Sequence, residues 1–158
     1  LVGVWGVGPF DNDGAADFLA FLTEAGPDGW NLIREELNSR DPEMIIAAAE
    51  VVATVLGVAS RRDDRTLNFA MGRNRAAPWA KRYGWSMSRS LPGVALKAAK
   101  RAARLTHTIG WTKPESARKW DQTAASVIRR LELGMRKRTI ESWQGGAASA
   151  STGVSRRP

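Results

Sequence analysis

The segment DPEMIIAAAEVVATVLG, residues 41–57, carries the strongest structural signal in the chain. Asp41 is a side-chain acceptor for a first helical turn, and Pro42 suits the first helical position because no amide hydrogen bond is needed there. Gly57 suits the left-handed residue that closes a helix. The β-branched residues would also allow a strand, but the length, the cap and the alanines favour a helix. Because the segment is apolar nearly all round, we expect this helix at the centre of a bundle.

Two shorter helices are predicted before this segment. The first begins at residues 11–13, where the Asp, Asn and Asp side chains can each accept hydrogen bonds from the free amides of a first turn. The run Gly26-Pro27-Asp28-Gly29 then turns the chain, and a second helix follows. The predicted inner faces are Ala15, Phe18, Leu19 and Leu22 in the first helix and Trp30, Ile33 and Leu37 in the second.

Helical periodicity returns in the second half, after a weakly patterned stretch at residues 58–90. One helix should begin near Ser90, with an apolar and a basic stripe on opposite faces. Another should begin at Pro114, with Gly134 as a point of interruption. The apolar stripes are Leu91, Ala95, Ala98, Ala102 and Leu105, and then Ala117, Trp120, Ala124, Val127, Ile128 and Leu131. Residues 145–158 are mostly Gly, Ala, Ser, Thr and Arg, which predicts a disordered tail.

These patterns together predict an all-α protein. We expect a single-domain bundle of five or six helices in residues 1–144, with an irregular N-terminal loop and residues 58–90 poorly defined. The chain is 43% hydrophobic, which is enough for a core, but no apolar run is long enough to span a bilayer. No signal-peptide pattern opens the sequence. The expected location is therefore cytoplasmic, without a membrane partner.

The composition and the motif spacings exclude several chemistries. The absence of cysteine rules out disulfides, thiolate metal sites and cysteine nucleophiles, and a single histidine rules out a multi-histidine metal site. Asp11, Asp13 and Asp17 do not have the spacing of a calcium-binding loop. Gly6 and Gly8 precede a helix without the strand, lysine or third glycine of a nucleotide-binding loop. We therefore assign no catalytic, cofactor-binding or metal-ligating residue, and no cofactor.

Glu50 is the only charged residue in the apolar part of the central segment. A buried carboxylate needs a partner or its pKa rises, and such groups gather at functional sites. The structural interpretation is that Glu50 accepts hydrogen bonds from the loop around Trp5 or pairs with an arginine such as Arg34. The functional alternative is hydrolysis centred on Glu50 and the N-terminal aspartates. We favour the structural interpretation, because structural networks also perturb pKa values.

The charge of the chain is unevenly distributed. The net charge is +8, but residues 1–57 carry two basic and ten acidic residues, whereas residues 58–158 carry 22 basic and six acidic ones. The basic half predicts either a solvated surface that neutralises the acidic half or a weakly specific nucleic-acid contact. In the second case Trp79, Tyr83 and Trp85 would stack on unpaired bases. The proposed contacts are Arg73, Arg75, Lys81, Arg82, Lys97, Lys100, Arg101 and Arg104, extended by Arg89, Arg129, Arg130, Arg136, Lys137 and Arg138.

The N-terminal residues form a distinctive signature, made of Gly3, Trp5, Gly6, Gly8, Phe10, Asn12, Asp13, Ala16 and Asp17. This spacing resembles an uncharacterised bacterial family, domain of unknown function family 4259, whose members begin Met-Gly-x-Trp-Gly-x-Gly-x-Phe-x-Asn-Asp. Agreement continues at residues 47–53 and more weakly at 115–120, whereas residues 58–110 depart from the pattern and are more basic. The resemblance implies a small helical domain. It implies no reaction, because the family has no established catalytic residues.

Three functions are open at this point. The first hypothesis is a non-enzymatic protein that binds another protein in an immunity or regulatory role. The second is a nucleic-acid-binding module that uses the basic half of the chain. The third is a hydrolase at Glu50. The charge distribution and the absence of catalytic motifs place binding ahead of hydrolysis.

Overall fold

The computed structural model describes residues 8–57, 75–105 and 114–150, the last ten of these through the backbone alone. These ranges form six α-helices and contain no β-strand, which confirms the all-α prediction. The helices are α1 Asp13–Ala25, α2 Gly29–Leu37, α3 Pro42–Val55, α4 Ala77–Tyr83, α5 Leu91–Ala103 and α6 Pro114–Ala150. Short 3-10 turns at Gly26–Asp28 and Gly84–Ser86 join α1 to α2 and follow α4.

Helix α3 is the centre of the bundle, as its sequence predicts. It packs against each of the other five described helices, and the side chains of residues 45–53 are all buried. Asp41 caps its first turn by accepting from the amide of Glu43 at 2.9 Å. Gly57, with φ of +69°, ends it in the left-handed region. Two local signals and one continuous apolar surface therefore fix the position of this helix.

Of the three polar residues at the start of α1, Asn12 caps the helix. Asn12 Oδ1 accepts a hydrogen bond from the amide of Ala15 at 2.7 Å. Asp11 instead closes the preceding turn, because its Oδ2 accepts from the amide of Gly8 at 2.8 Å. Phe10 is 1% exposed and anchors this loop on the core. Trp5 and Gly6, the other signature residues assigned to the loop, lie outside the described residues.

An aromatic junction joins α1, α2 and α4. The indole of Trp79 stands edge-on to that of Trp30, with ring centroids 4.9 Å apart, and its Nε1 donates to Gly26 O at 3.0 Å. Trp30 Nε1 donates to Ser86 Oγ at 2.9 Å. A Cβ at Gly29 would lie 2.6 Å from Leu22 Cδ1 and 2.8 Å from Trp79 Cζ2, so any larger residue would force these side chains to shift. Helix α4 was not predicted, since it occupies seven residues of a weakly patterned stretch.

Helices α5 and α6 cover the other side of α3. The predicted apolar stripe of α5 is buried from Leu91 to Ala102, and Trp120, Ala124, Val127 and Leu131 of α6 are at most 1% exposed. The interruption predicted at Gly134 is wrong, because α6 continues through this buried residue between Leu131 and Met135, which both pack on the core. The helix reaches Ala150 and so passes the boundary predicted at residue 145. None of the described helices has the length and apolar character needed to cross a membrane.

Candidate functional site

Glu50 and Arg130 form an ion pair in the interior, between α3 and α6. Glu50 is 1% exposed and Arg130 is 8% exposed. Arg130 Nη1 donates to Glu50 Oε1 at 2.7 Å, and Arg130 Nη2 donates to Glu50 Oε2. The pairing with Arg34 is wrong, because Arg34 lies on the exposed side of α2 and donates to Asn31 Oδ1 at 3.5 Å. Arg130 is likewise not part of the basic surface to which it was assigned.

Burial and ion pairing have opposite effects on the pKa of Glu50. Burial raises the pKa of Glu50 above its ordinary value, while the charge and hydrogen bonds of Arg130 oppose the rise. Both carboxylate oxygens are engaged by one guanidinium in a bidentate arrangement. A general base or nucleophile must reach substrate, and Glu50 has almost no exposed surface. The arrangement favours the structural interpretation of Glu50 over the hydrolytic one.

The N-terminal aspartates do not join Glu50 in one site. Asp13 and Asp17 are exposed on the outer side of α1, whereas Glu50 is enclosed within the bundle. Asp11 is held in the turn before α1. Within the ranges that the structure describes, no group of three or more His, Asp or Glu side chains is placed to hold a metal ion.

The predicted nucleic-acid contacts fall into two groups. The first group is exposed at the surface and consists of Arg75, Lys81, Arg82, Lys97 and Arg104. The second group, Lys100 and Arg101, is also exposed but bonds within the chain: Lys100 Nζ lies 2.7 Å from Glu132 Oε1, and Arg101 donates to Leu37 O at 2.8 Å and to Ser39 O at 3.1 Å. The hydrogen bond and charge of Lys100 lower the pKa of Glu132. Arg73 lies outside the described residues.

The three aromatic residues assigned to base stacking have different environments. Trp79 is 5% exposed and belongs to the aromatic junction, so it cannot stack on a base. Tyr83 is half-buried, with the guanidinium of Arg82 lying 5.5 Å from its ring centroid. Trp85 is 84% exposed, and its Nε1 donates to Arg82 O at 3.1 Å. Of these three side chains, Trp85 is the one that is exposed enough to stack on an unpaired base.

An open groove of about 560 Å³ lies between the start of α5, with the turn before it, and the second half of α6. Its lining residues are Met87, Arg89, Pro92, Met135, Arg138 and Thr139, and we call it the Met–Arg groove. Met87 and Pro92 are buried and Met135 is half-buried, whereas both arginines are exposed. The groove thus combines an apolar floor with two cationic side chains at its rim.

Sequence reasoning did not find the Met–Arg groove as a site. Arg89 and Arg138 were predicted to belong to a basic surface, and no role was predicted for Met87 or Met135. The only local signal is on α6, where Met135, Arg138 and Thr139 share one side of the helix because they are spaced by three and four residues. The packing of α5 on α6 brings this side to the turn that carries Met87 and Arg89.

The fold and these sites define a helical protein with a sealed ion pair at its centre and an open groove at one end. The chain belongs to the family described as Domain of unknown function (DUF4259), which matches residues 3–124. The match confirms the resemblance seen in the sequence and extends across residues 58–110. Glu50 lies inside the matched range, whereas Arg130 and the α6 side of the Met–Arg groove lie beyond it. No curated protein and no solved structure matches the chain significantly.

Proposed function

We propose that this protein is a non-enzymatic interaction protein that binds another protein through the Met–Arg groove. The proposal is based on one observation: the groove has an apolar floor, and an exposed arginine lies on each side of its opening. The partner would present a large apolar side chain flanked by carboxylates. A binding role of this kind suits the regulatory or immunity proteins expected from the sequence.

The chemistry of the lining residues supports this partner class. Methionine side chains are flexible and polarisable, so they adapt to differently shaped apolar groups and make favourable contacts with aromatic rings. Arginine presents a planar set of donors that matches a carboxylate in two hydrogen bonds. A volume of about 560 Å³ is sufficient for one or two large side chains. The groove therefore selects for an acidic segment with an apolar anchor.

The test is fluorescence polarisation with a short synthetic helical peptide that carries Phe or Leu on one side and Glu beside it. We expect saturable binding that weakens with salt, because the arginines contribute through charge. The groove variant Arg89→Glu/Arg138→Glu should lose this binding. The matched control Arg118→Glu/Lys119→Glu makes the same charge change at two exposed positions of α6 that do not line the groove.

Two results of this titration would contradict the proposal. If the peptide binds the wild type and both double variants equally, or binds none of them at low salt, the Met–Arg groove is not the site. A Lys-substituted version of the same peptide should not bind, since it would place ammonium groups against the two arginines. Thermal melts of each variant by circular dichroism establish that the fold is retained.

Nucleic-acid binding is the second candidate function, and one observation favours it. Trp85 is 84% exposed, and Lys81 and Arg82 lie on the exposed side of the preceding helix. The hydrogen bond from its Nε1 to Arg82 O restrains the indole. A single aromatic side chain among cations supports stacking on unpaired bases together with phosphate contacts, and binding of this kind has little sequence preference.

The test of this second function is the salt dependence of binding to a single-stranded oligonucleotide. Removing one cation that binds a phosphate should change the slope of log affinity against log salt by about 0.7. Trp85→Ala should reduce affinity without changing the slope, whereas Lys81→Ala should reduce both. Absence of binding at low salt would remove this candidate and leave the Met–Arg groove proposal intact.

A further inference from the structure

The outer face of α1 carries the groups expected in a ligand of the Met–Arg groove, which are a large apolar side chain and flanking carboxylates. Asp13, Asp17, Phe21 and Glu24 are spaced by four, four and three residues, which places them on one side of the helix. All four are exposed, and Phe21 is 59% exposed, a high value for a phenylalanine. We call these four residues the acidic α1 face. It presents one large aromatic anchor between carboxylates.

The acidic α1 face and the Met–Arg groove lie on different parts of the bundle. Helix α1 packs on α2 and α3, whereas the groove is built from the start of α5, with the turn before it, and from α6. The exposure of Phe21 shows that it does not occupy the groove of its own chain. The two surfaces are therefore both present on one molecule and both open to solvent.

We propose that the acidic α1 face of one copy docks into the Met–Arg groove of a second copy, an inference that rests on the function proposed above. Phe21 would enter between Met87 and Met135, where sulfur–aromatic contacts are favourable. Asp17 and Glu24 lie about one turn to either side of Phe21, within reach of two arginines at the rim.

The charge of the whole chain supports this arrangement of two copies. The half that contains α1 carries an excess of acidic residues, and the half that contains the groove carries a larger excess of basic ones. Copies approaching with unlike halves attract each other, and copies approaching with like halves repel. The contact joins two different surfaces, so association depends on concentration and can extend beyond two copies. Self-docking would also cover the groove until an acidic partner displaces the second copy.

Sedimentation velocity of the wild-type protein over a range of concentrations, at low and moderate salt, tests the inference. We expect the weight-average sedimentation coefficient to rise with concentration at low salt and less so at moderate salt. The face variant Asp17→Lys/Glu24→Lys and the groove variant Arg89→Glu/Arg138→Glu should each associate at least about tenfold more weakly. A mixture of the two should form heterodimers, because the groove variant keeps its acidic face and the face variant keeps its groove.

The control variant Arg118→Glu/Lys119→Glu should associate like the wild type. Phe21→Ser leaves the charges in place and should also weaken association, which separates docking of the ring from general attraction between charges. A wild type that stays monomeric at low salt overturns the inference, as does association that survives in the groove variant. In either case binding of the synthetic acidic peptide to the wild type still decides the proposed function independently.

Discussion

Arg130 and Arg138 are eight residues apart on α6, and they lie in opposite environments. Arg130 is 8% exposed and holds both oxygens of Glu50 between two helices. Arg138 is exposed at the rim of the Met–Arg groove. The sequence around both residues is similarly basic, so composition alone cannot distinguish them. The difference lies in what each faces, which is a buried carboxylate for one and solvent for the other.

The two environments predict different consequences for stability and for ligand binding within one helix. A guanidinium that has been removed from water must be paired, and removal of its partner leaves an isolated charge inside the protein. A guanidinium at the rim stays hydrated and contributes little to folding, but it remains available to a ligand carboxylate. The centre of α6 should therefore tolerate little change, and its second half should tolerate charge changes with an effect on binding alone.

Breaking the buried pair should give the largest effect. Arg130→Met leaves the Glu50 carboxylate buried without its cation, so the free energy of unfolding should fall by about 3–5 kcal/mol. Chemical denaturation monitored by circular dichroism measures it. The double variant Glu50→Leu/Arg130→Met should recover much of the loss, because it leaves no unpaired charge. Losses that simply add in the double variant would contradict the interpretation of Glu50 and Arg130 as one unit.

Lys100 and Glu132 provide the matched control for that experiment. They also join two helices through an ion pair, with 2.7 Å between Nζ and Oε1, but both side chains are substantially exposed. The variant Lys100→Met should shift the denaturation midpoint far less than Arg130→Met does, since solvent screens an exposed pair. A comparable shift would mean that burial is not what distinguishes the two pairs.

Two glycines, Gly29 in the aromatic junction and Gly93 beside the Met–Arg groove, give the second largest contrast. Gly29→Ala would place a Cβ 2.6 Å from Leu22 Cδ1 and 2.8 Å from the Trp79 ring, so we expect a loss of about 1–3 kcal/mol in the free energy of unfolding. Gly93, beside the Met–Arg groove, has open space, with Met135 Cε at 4.0 Å as its nearest neighbour. Gly93→Ala should therefore be neutral or stabilising by up to about 1 kcal/mol, because alanine favours the helix. Thermal melts that shift in the same direction for both variants would contradict this difference in packing.

Much of α3 could be predicted from the sequence, because its signals are local. The cap at Asp41, the stop at Gly57 and the apolar surface between them fix α3 without reference to other segments. The position of Glu50 within that surface was enough to predict its burial. Its partner was not predictable, since Arg34 and Arg130 are both arginines and only the packing of α6 on α3 selects the second.

The Met–Arg groove and the aromatic junction were predicted less well, because both depend on contacts between distant segments. The Met–Arg groove joins residues 87–92 to residues 135–139, and neither segment alone shows a concave surface. Trp79 was assigned to a basic surface on the strength of its basic neighbours, but it packs against Trp30 from α2. Local charge in the sequence identified the exposed arginines, whereas the contacts of the apolar residues could be seen only in the folded structure.

The third prediction concerns pH and the buried pair. Burial raises the pKa of Glu50 from 4.5, so the unfolded chain ionises at this residue before the folded protein does. The stability contributed by protonated Glu50 is present below pH about 4.5 and is lost as the pH rises through the folded pKa. The difference in free energy of unfolding between the wild type and Glu50→Gln should thus fall with rising pH in that window, by at most about 1.4 kcal/mol per pH unit. Denaturation curves at a series of pH values measure this slope, and a rising difference would show that Arg130 outweighs burial.

Among these variants, Arg138→Ala should have the smallest effect on stability and a clear effect on binding. Arg138→Ala removes an exposed side chain and leaves no buried charge unpaired, so the free energy of unfolding should change by less than about 0.5 kcal/mol. The same change should weaken binding of the acidic helical peptide, because it removes one of the two rim cations. Parallel denaturation and polarisation titrations of Arg138→Ala and Arg130→Met would then show the two arginines in opposite roles, with one variant unstable and the other deficient in binding. A loss of stability in Arg138→Ala comparable to that of Arg130→Met would mean that the second half of α6 is part of the core and that the groove is not a free surface.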